Sequence, residues 1–401
     1  MSRFMFVTGS LVHGGAERHS ITVMNRLSAR GHDCHAVYVK NDSSQLDRIQ
    51  LPPSSLVTCL NAGGYFDLRA IRSFAAHMRR IEPAALIAAN AYALMYATLA
   101  RLLAGSHAPI LVTFHSTLLL GIKEQLKMLV DRFFFMSADC LVFVCDNQRR
   151  YWRKRGVIAK RNEVIHNGVD LDQFKPDQIQ GASQQIRQEF GFTSTDFVVG
   201  MVAVLRPEKN HVQLLSAVAA LRKRGIPAVA LLVGDGVMRP GIEALARLLQ
   251  IEPYVAITGF RDDVRPYVAA CNVVALCSIT EALSLAALEA MAMARPVVHS
   301  EVGGAAEMIS PGYNGFLFPV GDTDILVQKL ATLSEPNRAL RMGRNSRRLV
   351  EKSFSEVGML DRFEQVLQDL CATRSSATRK NRRHPRFGAA ANHEQPSSVK
   401  E

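Results

Sequence analysis

Short β-branched runs alternate along the chain with stretches whose apolar positions recur every three or four residues. That alternation predicts parallel sheets wrapped by helices. In the first half, strands are expected at 4–8, 35–39, 86–89, 110–114, 141–144 and 163–165, with helices such as 16–30, 68–81 and 123–136 between them. From about residue 197 the pattern restarts, with strands at 197–202, 228–233, 255–258, 273–276, 296–299 and 315–318 and helices such as 211–224, 241–249 and 285–292. A polar stretch over 170–181, with Pro176 among Asp and Gln residues, reads as a linker. The expected fold class is α/β: two Rossmann-like, doubly wound domains, 1–180 and 181–355, facing a central cleft. Helical segments near 324–333, 337–352 and 359–371 follow, and 356–373 is expected as a terminal helix that could cross back to the first domain. Ser, Arg, Asn and Pro dominate 374–401, which reads as a basic disordered tail.

The most membrane-like stretch is 84–100, but it contains Asn90, Tyr92, Tyr96 and Thr98 among weakly hydrophobic alanines. A spanning helix needs about 20 strongly apolar residues, so a short strand followed by a buried helix is expected instead. The first nine residues lack the apolar core of a signal peptide and read as a strand.

With 401 residues, 48% of them hydrophobic, the chain can bury a sizeable core, which excludes a wholly disordered protein. Charge narrows the picture further. The net charge of +12 is uneven: residues 1–185 hold 22 basic and 14 acidic side chains, 186–373 hold 19 and 20, and 374–401 hold 7 and 2. Such an excess favours an anionic partner: a phosphate-bearing ligand, a membrane surface or nucleic acid. The seven cysteines make no C-x-x-C pair, so neither a disulfide framework nor a cysteine zinc site is indicated, and a reducing, cytoplasmic compartment is expected.

Candidate chemistry lies in the loops that follow strands. The first strand runs into Gly14-Gly15-Ala16-Glu17 and then a helix, which brings backbone N–H groups and a positive dipole end towards an anion. The bland alternative is a tight turn; no G-x-G-x-x-G fingerprint is present, which counts against a dehydrogenase. In the second half, Arg206-Pro207-Glu208-Lys209 follows a strand at the crevice position of an open sheet. Two cations there could neutralise a departing diphosphate, or be ordinary surface charge. Glu281 and Glu289 frame a helix start, and carboxylates suit sugar and ribose hydroxyls; alternatively, both are solvated helix charges. Gly303-Gly304 repeats the strand, double-glycine and helix device.

As a set, Gly14-Gly15-Ala16-Glu17, Val164-Ile165-His166-Asn167-Gly168-Val169-Asp170, Arg-Pro-Glu-Lys, Gly234-Asp235-Gly236, Glu-x7-Glu-Ala-Met-Ala and Gly303-Gly304 resemble glycosyltransferase family 4, the glycosyl transferases group 1, of the GT-B fold. The resemblance covers roughly residues 3–370. It implies retaining sugar transfer from a nucleotide-sugar donor, a UDP- or GDP-sugar, with no required metal and no cofactor, the nucleotide sugar being a substrate. Carried over by residue, Arg206 and Lys209 would contact the donor diphosphate, Glu281 the donor sugar hydroxyls and Glu289 the ribose. His115 would lie near the donor sugar, although its bland reading is an ordinary strand-end histidine. Backbone around Gly259, Phe260 and Arg261 would meet the base, Gly14 and Gly15 the phosphate or acceptor side, and Gly234, Leu283, Ser284 and Leu285 further donor atoms. Two positions depart from the commonest family form: Val204 replaces an arginine and Ser284 a glycine.

The family implies a glycan or lipid-linked saccharide acceptor in polysaccharide or lipopolysaccharide assembly, and hence peripheral attachment to the cytoplasmic face of a membrane. The segment 121–138, with Lys123, Lys127 and Arg132 beside Leu126, Met128, Leu129, Phe133, Phe134 and Phe135, could lie on anionic lipid, or be a core helix with a charged outer edge. The cluster Arg149, Arg150, Arg153, Lys154 and Arg155, with Tyr151 and Trp152, could likewise meet lipid phosphate or water. Rival readings are a sugar-nucleotide epimerase of similar architecture, a catalytically silent sugar-nucleotide sensor, and a nucleic-acid binder. Against the last, no nucleic-acid motif is present, and no specific nucleic-acid partner is expected.

Overall fold

The computed structural model describes residues 1–12, 14–116 and 122–382. The runs of Phe, Val, Leu and Ala that predict strands are buried on both faces, as parallel strands between helical layers must be. The first half contains β1 (Arg3–Thr8), α1 (Gly15–Ala29), β2 (Asp33–Tyr38), β3 (Val57–Cys59), α2 (Leu68–Ile81), β4 (Ala85–Ala89), α3 (Asn90–Ala104), β5 (Ile110–Phe114), α4 (Ile122–Ser137), β6 (Cys140–Phe143), α5 (Asp146–Arg153) and β7 (Arg161–Val164). Its strands form one parallel sheet in the order β3-β2-β1-β4-β5-β6-β7.

The second half contains α6 (Gln180–Glu189), β8 (Phe197–Val202), α7 (His211–Lys223), β9 (Ala228–Val233), α8 (Arg239–Leu248), β10 (Val255–Ile257), α9 (Arg265–Ala270), β11 (Val273–Leu276), α10 (Leu285–Ala292), β12 (Val297–Ser300), α11 (Ala305–Met308), β13 (Gly315–Phe318), α12 (Thr323–Leu333) and α13 (Pro336–Ser353). Its sheet runs β10-β9-β8-β11-β12-β13. The long α14 (Glu356–Arg382) closes the described chain.

Both strand orders reverse direction once, between β1 and β4 and between β8 and β11. Crevices at such switch points are where open α/β sheets hold ligands.

The chain crosses between the halves twice, near residues 169 and 355, and the crossings are bonded to each other. The Val169 N–H donates to the Phe354 carbonyl at 2.9 Å, and the Glu356 N–H to the Val169 carbonyl at 2.9 Å. After the second crossing, Met359, Leu360, Phe363, Val366, Leu367 and Leu370 of α14 pack with Phe4, Phe6, Val23 and Leu27 of the first domain.

Several expectations change. β3, not foreseen, is a short edge strand with Val57 exposed. The stretch read as a linker already contains the start of α6, whose Ile186, like Ile179 just before it, is buried in the second domain. The tail expected to be disordered from 374 is helical to Arg382, and 383–401 lie outside the described residues. Of the segment read over 121–138, residue 121 also lies outside them. No helix among the described residues is long and apolar enough to cross a membrane.

Candidate functional site

The carboxyl ends of β1, β4 and β5 face those of β8, β9 and β11 across a cavity of about 630 Å³. Lining it are His115, Arg206, Lys209, Glu281, Gly14, Gly15, Gly234, Phe260, Arg261, Leu283, Ser284, Leu285 and Glu289, brought together from six strand-end loops and helix α10. Gly259 is not among the lining residues. It pairs with Gly234 in an isolated bridge, and its neighbours Phe260 and Arg261 reach the cavity.

Gly15 opens α1, so the first turn of that helix, with its unpaired N–H groups, ends on the cavity. Opposite stands the turn after β8. Arg206 is exposed there and precedes a short 3-10 turn, Pro207–Lys209, that aims Lys209 inward. Gly234 follows β9 at φ +148°, and a Cβ at this position would strike the Ala203 carbonyl on the neighbouring loop. The two cavity-edge loops can approach only because this residue is glycine.

Glu281 and Glu289 each already hold a cation. Lys209 Nζ donates to Glu281 Oε2 at 2.5 Å. Arg18 Nη2 donates to Glu289 Oε1 at 2.5 Å, and this second bond joins the two domains. Glu289 sits five residues into α10, whose N-terminus is capped by the Ser284 hydroxyl accepting from the Ala287 N–H at 3.2 Å. Ser284, where the family's commonest form has glycine, is thus a helix cap on the cavity wall. Burial pushes the Glu289 carboxyl up and Arg18 opposes it. Glu17 in the first turn of α1 also has its carboxyl raised by burial, opposed by its own backbone N–H and by Arg206 across the cleft.

His115 follows β5. Its backbone N–H donates to Asn90 Oδ1 at 2.8 Å, and Asn90 itself sits at φ +65° after β4. Burial lowers the His115 imidazole to about 4, so the ring is neutral near pH 7. It meets the ring of His19 edge-on at 4.7 Å, and His19 is also held well below its ordinary value, first by burial and then by His115.

The Gly303-Gly304 turn does not line the cavity. Gly303, at φ +53°, lies so close to the Glu281 and Ala282 carbonyls that a Cβ would collide with both. The Gly304 N–H donates to the Ala282 carbonyl at 2.7 Å. The turn therefore packs against the Glu281 loop, outside the cavity lining. Glu307 beyond it accepts from the backbone N–H groups of Asp146 and Asn147, and lies 2.8 Å from His166 Nε2. Although burial acts against it, these bonds hold the Glu307 carboxyl below its ordinary value. Asn167 donates to the Leu283 carbonyl at 2.9 Å. The His166-Asn167 motif is thus an interdomain joint.

Sequence reasoning missed Arg18, Glu17 and Asn90 as cavity residues. Arg18 and Glu17 stood beside the double glycine, and Asn90 stood at the end of a predicted strand, so position was the available signal. A second cavity, about 660 Å³, continues past Arg18 and Glu289 along α1 to Arg26, Asp170 and Glu356. Among the described residues, no group of three or more His, Cys, Asp or Glu stands where it could hold a metal ion.

Two family models match the chain: Glycosyltransferase Family 4 over residues 13–173 and Glycosyl transferases group 1 over 182–349. EpsD of Bacillus subtilis (strain 168) is 30% identical over 243 residues, 59% of this chain and 62% of EpsD. The UDP-Gal:alpha-D-GlcNAc-diphosphoundecaprenol alpha-1,3-galactosyltransferase of Escherichia coli is 26% identical over 210 residues, 52% of this chain and 54% of that enzyme. The chain thus matches between about half and two thirds of the length of these relatives. Among solved structures, Anabaena HepE in complex with UDP and glucose has the same fold, with a TM-score of 0.81 at 22% identity over 92% of this chain and 100% of HepE.

Proposed function

The chain belongs to glycosyltransferase family 4, with the GT-B fold, and from that premise we propose that it moves a sugar from a UDP- or GDP-sugar to a glycan or lipid-linked saccharide, with retention and without a required metal. The observation that carries this reading is the meeting of Lys209, Glu281, Arg206 and Glu289 in one cavity, opposite the first turn of α1. Glu281 accepts hydrogen bonds from the donor sugar and Glu289 from the ribose. Breaking the bond between the anomeric carbon and the diphosphate oxygen leaves positive charge on the sugar and negative charge on the diphosphate. Lys209, Arg206 and the α1 N-terminus stabilise the latter. The acceptor oxygen bonds the anomeric carbon on the same face as the leaving group, and its proton passes to the leaving phosphate oxygen. Neutral His115 can hydrogen-bond a sugar hydroxyl without adding a charge to a cation-like sugar.

The acceptor side is read as membrane-linked. The E. coli relative's name carries a diphosphoundecaprenol acceptor, and α4 turns Leu126, Leu129, Val130, Phe133 and Met136 outward, with Phe133 76% exposed. Their spacing makes one apolar stripe, opposite a face whose Met128 and Phe135 enter the core. Exposed Lys127 flanks this stripe, which supports the lipid reading over that of a core helix. Such a stripe on a basic domain suits an anionic bilayer. Trp152 takes no part in it: the ring is fully buried and its Nε1–H donates to the Ser116 carbonyl at 3.1 Å.

Thermal shifts of the purified protein with UDP-, GDP- and ADP-sugars in EDTA test the donor reading. One nucleotide class is expected to stabilise, by about 2.7 kcal/mol at a hundredfold excess over Kd. NMR of the transferred product is then expected to show the donor's anomeric configuration. Inverted product overturns retention, and free epimerised sugar overturns transfer.

A further inference from the structure

Glu289 is far more enclosed than its companion acid: its side chain is 5% exposed against 21% for Glu281. The cation beside it does not come from its own domain. Lys209 is held by Glu281, and the one ion pair Glu289 makes among the described residues is with Arg18, which reaches across the cleft from α1. Helix α1 dictates that reach. Ile21, Val23, Met24 and Leu27 pack it onto the sheet, so Arg18 falls on the face that borders both cavities. Arg26, two turns on, is held by Asp170 and Glu356, whereas the described ion pair of Arg18 is to Glu289 alone.

A carboxylate that is to accept hydrogen bonds from two neighbouring hydroxyls has to be ionised and fixed in direction. Enclosure in protein works against the first, and a single mobile rotamer against the second. A guanidinium on one carboxylate oxygen meets both needs and leaves Oε2 for a ligand: no hydrogen bond reaches Oε2 among the described residues.

We propose that Arg18 is a positioning residue for the donor, supplied by the opposite domain: its guanidinium holds the Glu289 carboxylate charged and aimed at the ribose hydroxyls, so that the ribose subsite is complete only when the two domains are together. The proposal rests on the reading of Glu289 as the ribose ligand.

The test compares binding of UDP, GDP or ADP, whichever the wild type holds, with binding of its 2′,3′-dideoxy analogue by calorimetry. Arg18→Ala is expected to weaken the ribonucleotide about tenfold and to leave the dideoxy analogue unchanged. Arg18→Lys is expected to recover part of that loss, and Arg18→Ala with Glu289→Gln to bind no more weakly than Glu289→Gln alone. Arg18→Gln replaces the alanine variant where that one fails to fold. Equal loss for both nucleotides makes Arg18 a plain phosphate attractor and overturns the proposal. Tighter ribonucleotide binding makes it a plug over the site and also overturns it. If Glu289→Gln itself leaves ribose discrimination intact, the ribose reading fails, and this proposal with it. If none of the three diphosphates binds the wild type, the donor reading fails first.

Discussion

His19 and His211 are buried with both ring nitrogens lacking a hydrogen-bond partner among the described residues, and half-buried His115 has the same lack at Nε2. Burial is the main cause in each case, and it lowers both His115 and His211 to about 4. A histidine that resists protonation when folded and accepts it when unfolded contributes stability that is complete above its unfolded value near 6.5. That contribution drains away as pH falls from there towards 4. Between pH 7 and 5 the loss is about 2 kcal/mol for each of His115 and His211. The buried carboxyls of Glu17, Glu289 and Glu356 are raised and act in the opposite direction, so the total alone is not diagnostic. We expect the urea midpoint of His211→Gln to fall less than that of the wild type between pH 7 and 5; equal falls would show that His211 titrates normally in the folded protein. Lys209 and Glu281 were legible as cavity residues because each sits in a strand-end loop that carries its own motif. Arg18 was not, because its partner is 271 positions away and only the packing of two domains reveals it.

Elements buried on both sides were the easiest to foresee, since a continuous apolar run leaves little choice of structure. Those that depend on a neighbour were missed. β3 is three residues long and exists by pairing with β2, and the Gly303-Gly304 turn matched a phosphate loop in sequence while packing against the Glu281 loop. α14 lies between these cases. Its apolar spacing predicted a helix, but not which domain it would cover. Phe363, fully buried and 5.6 Å from His19 by ring centroids, anchors it to the first domain. Phe363→Ala is expected to cost about 3–5 kcal/mol, read as a lower urea midpoint. A cost under 1 kcal/mol would mean that α14 is a detachable appendage.

At the scale of the molecule, the basic excess of the first half and the outward stripe of α4 belong to the same domain. The protein is expected to sediment with phosphatidylglycerol vesicles at low salt. The double variant Leu129→Glu/Phe133→Glu should bind at least about tenfold more weakly, since each apolar side chain contributes about 1.5–3 kcal/mol when buried. The two positions are exposed, so the fold should tolerate the change. Absence of vesicle binding by the wild type, or equal binding by the variant, would assign the stripe another use.

The return of α14 to the first domain also has a bearing on synthesis. The sheet of that domain is fully translated by Val164, yet one layer of its core is supplied by residues Met359 to Leu370. At about 5–20 residues per second, roughly 10–40 s separate the two. During that interval the second domain emerges and can fold, while Phe4, Phe6 and Leu27 wait for their cover. The half of the protein that leaves the ribosome first is the half finished last, and a nascent chain stalled before residue 359 should present that bare apolar layer to chaperones.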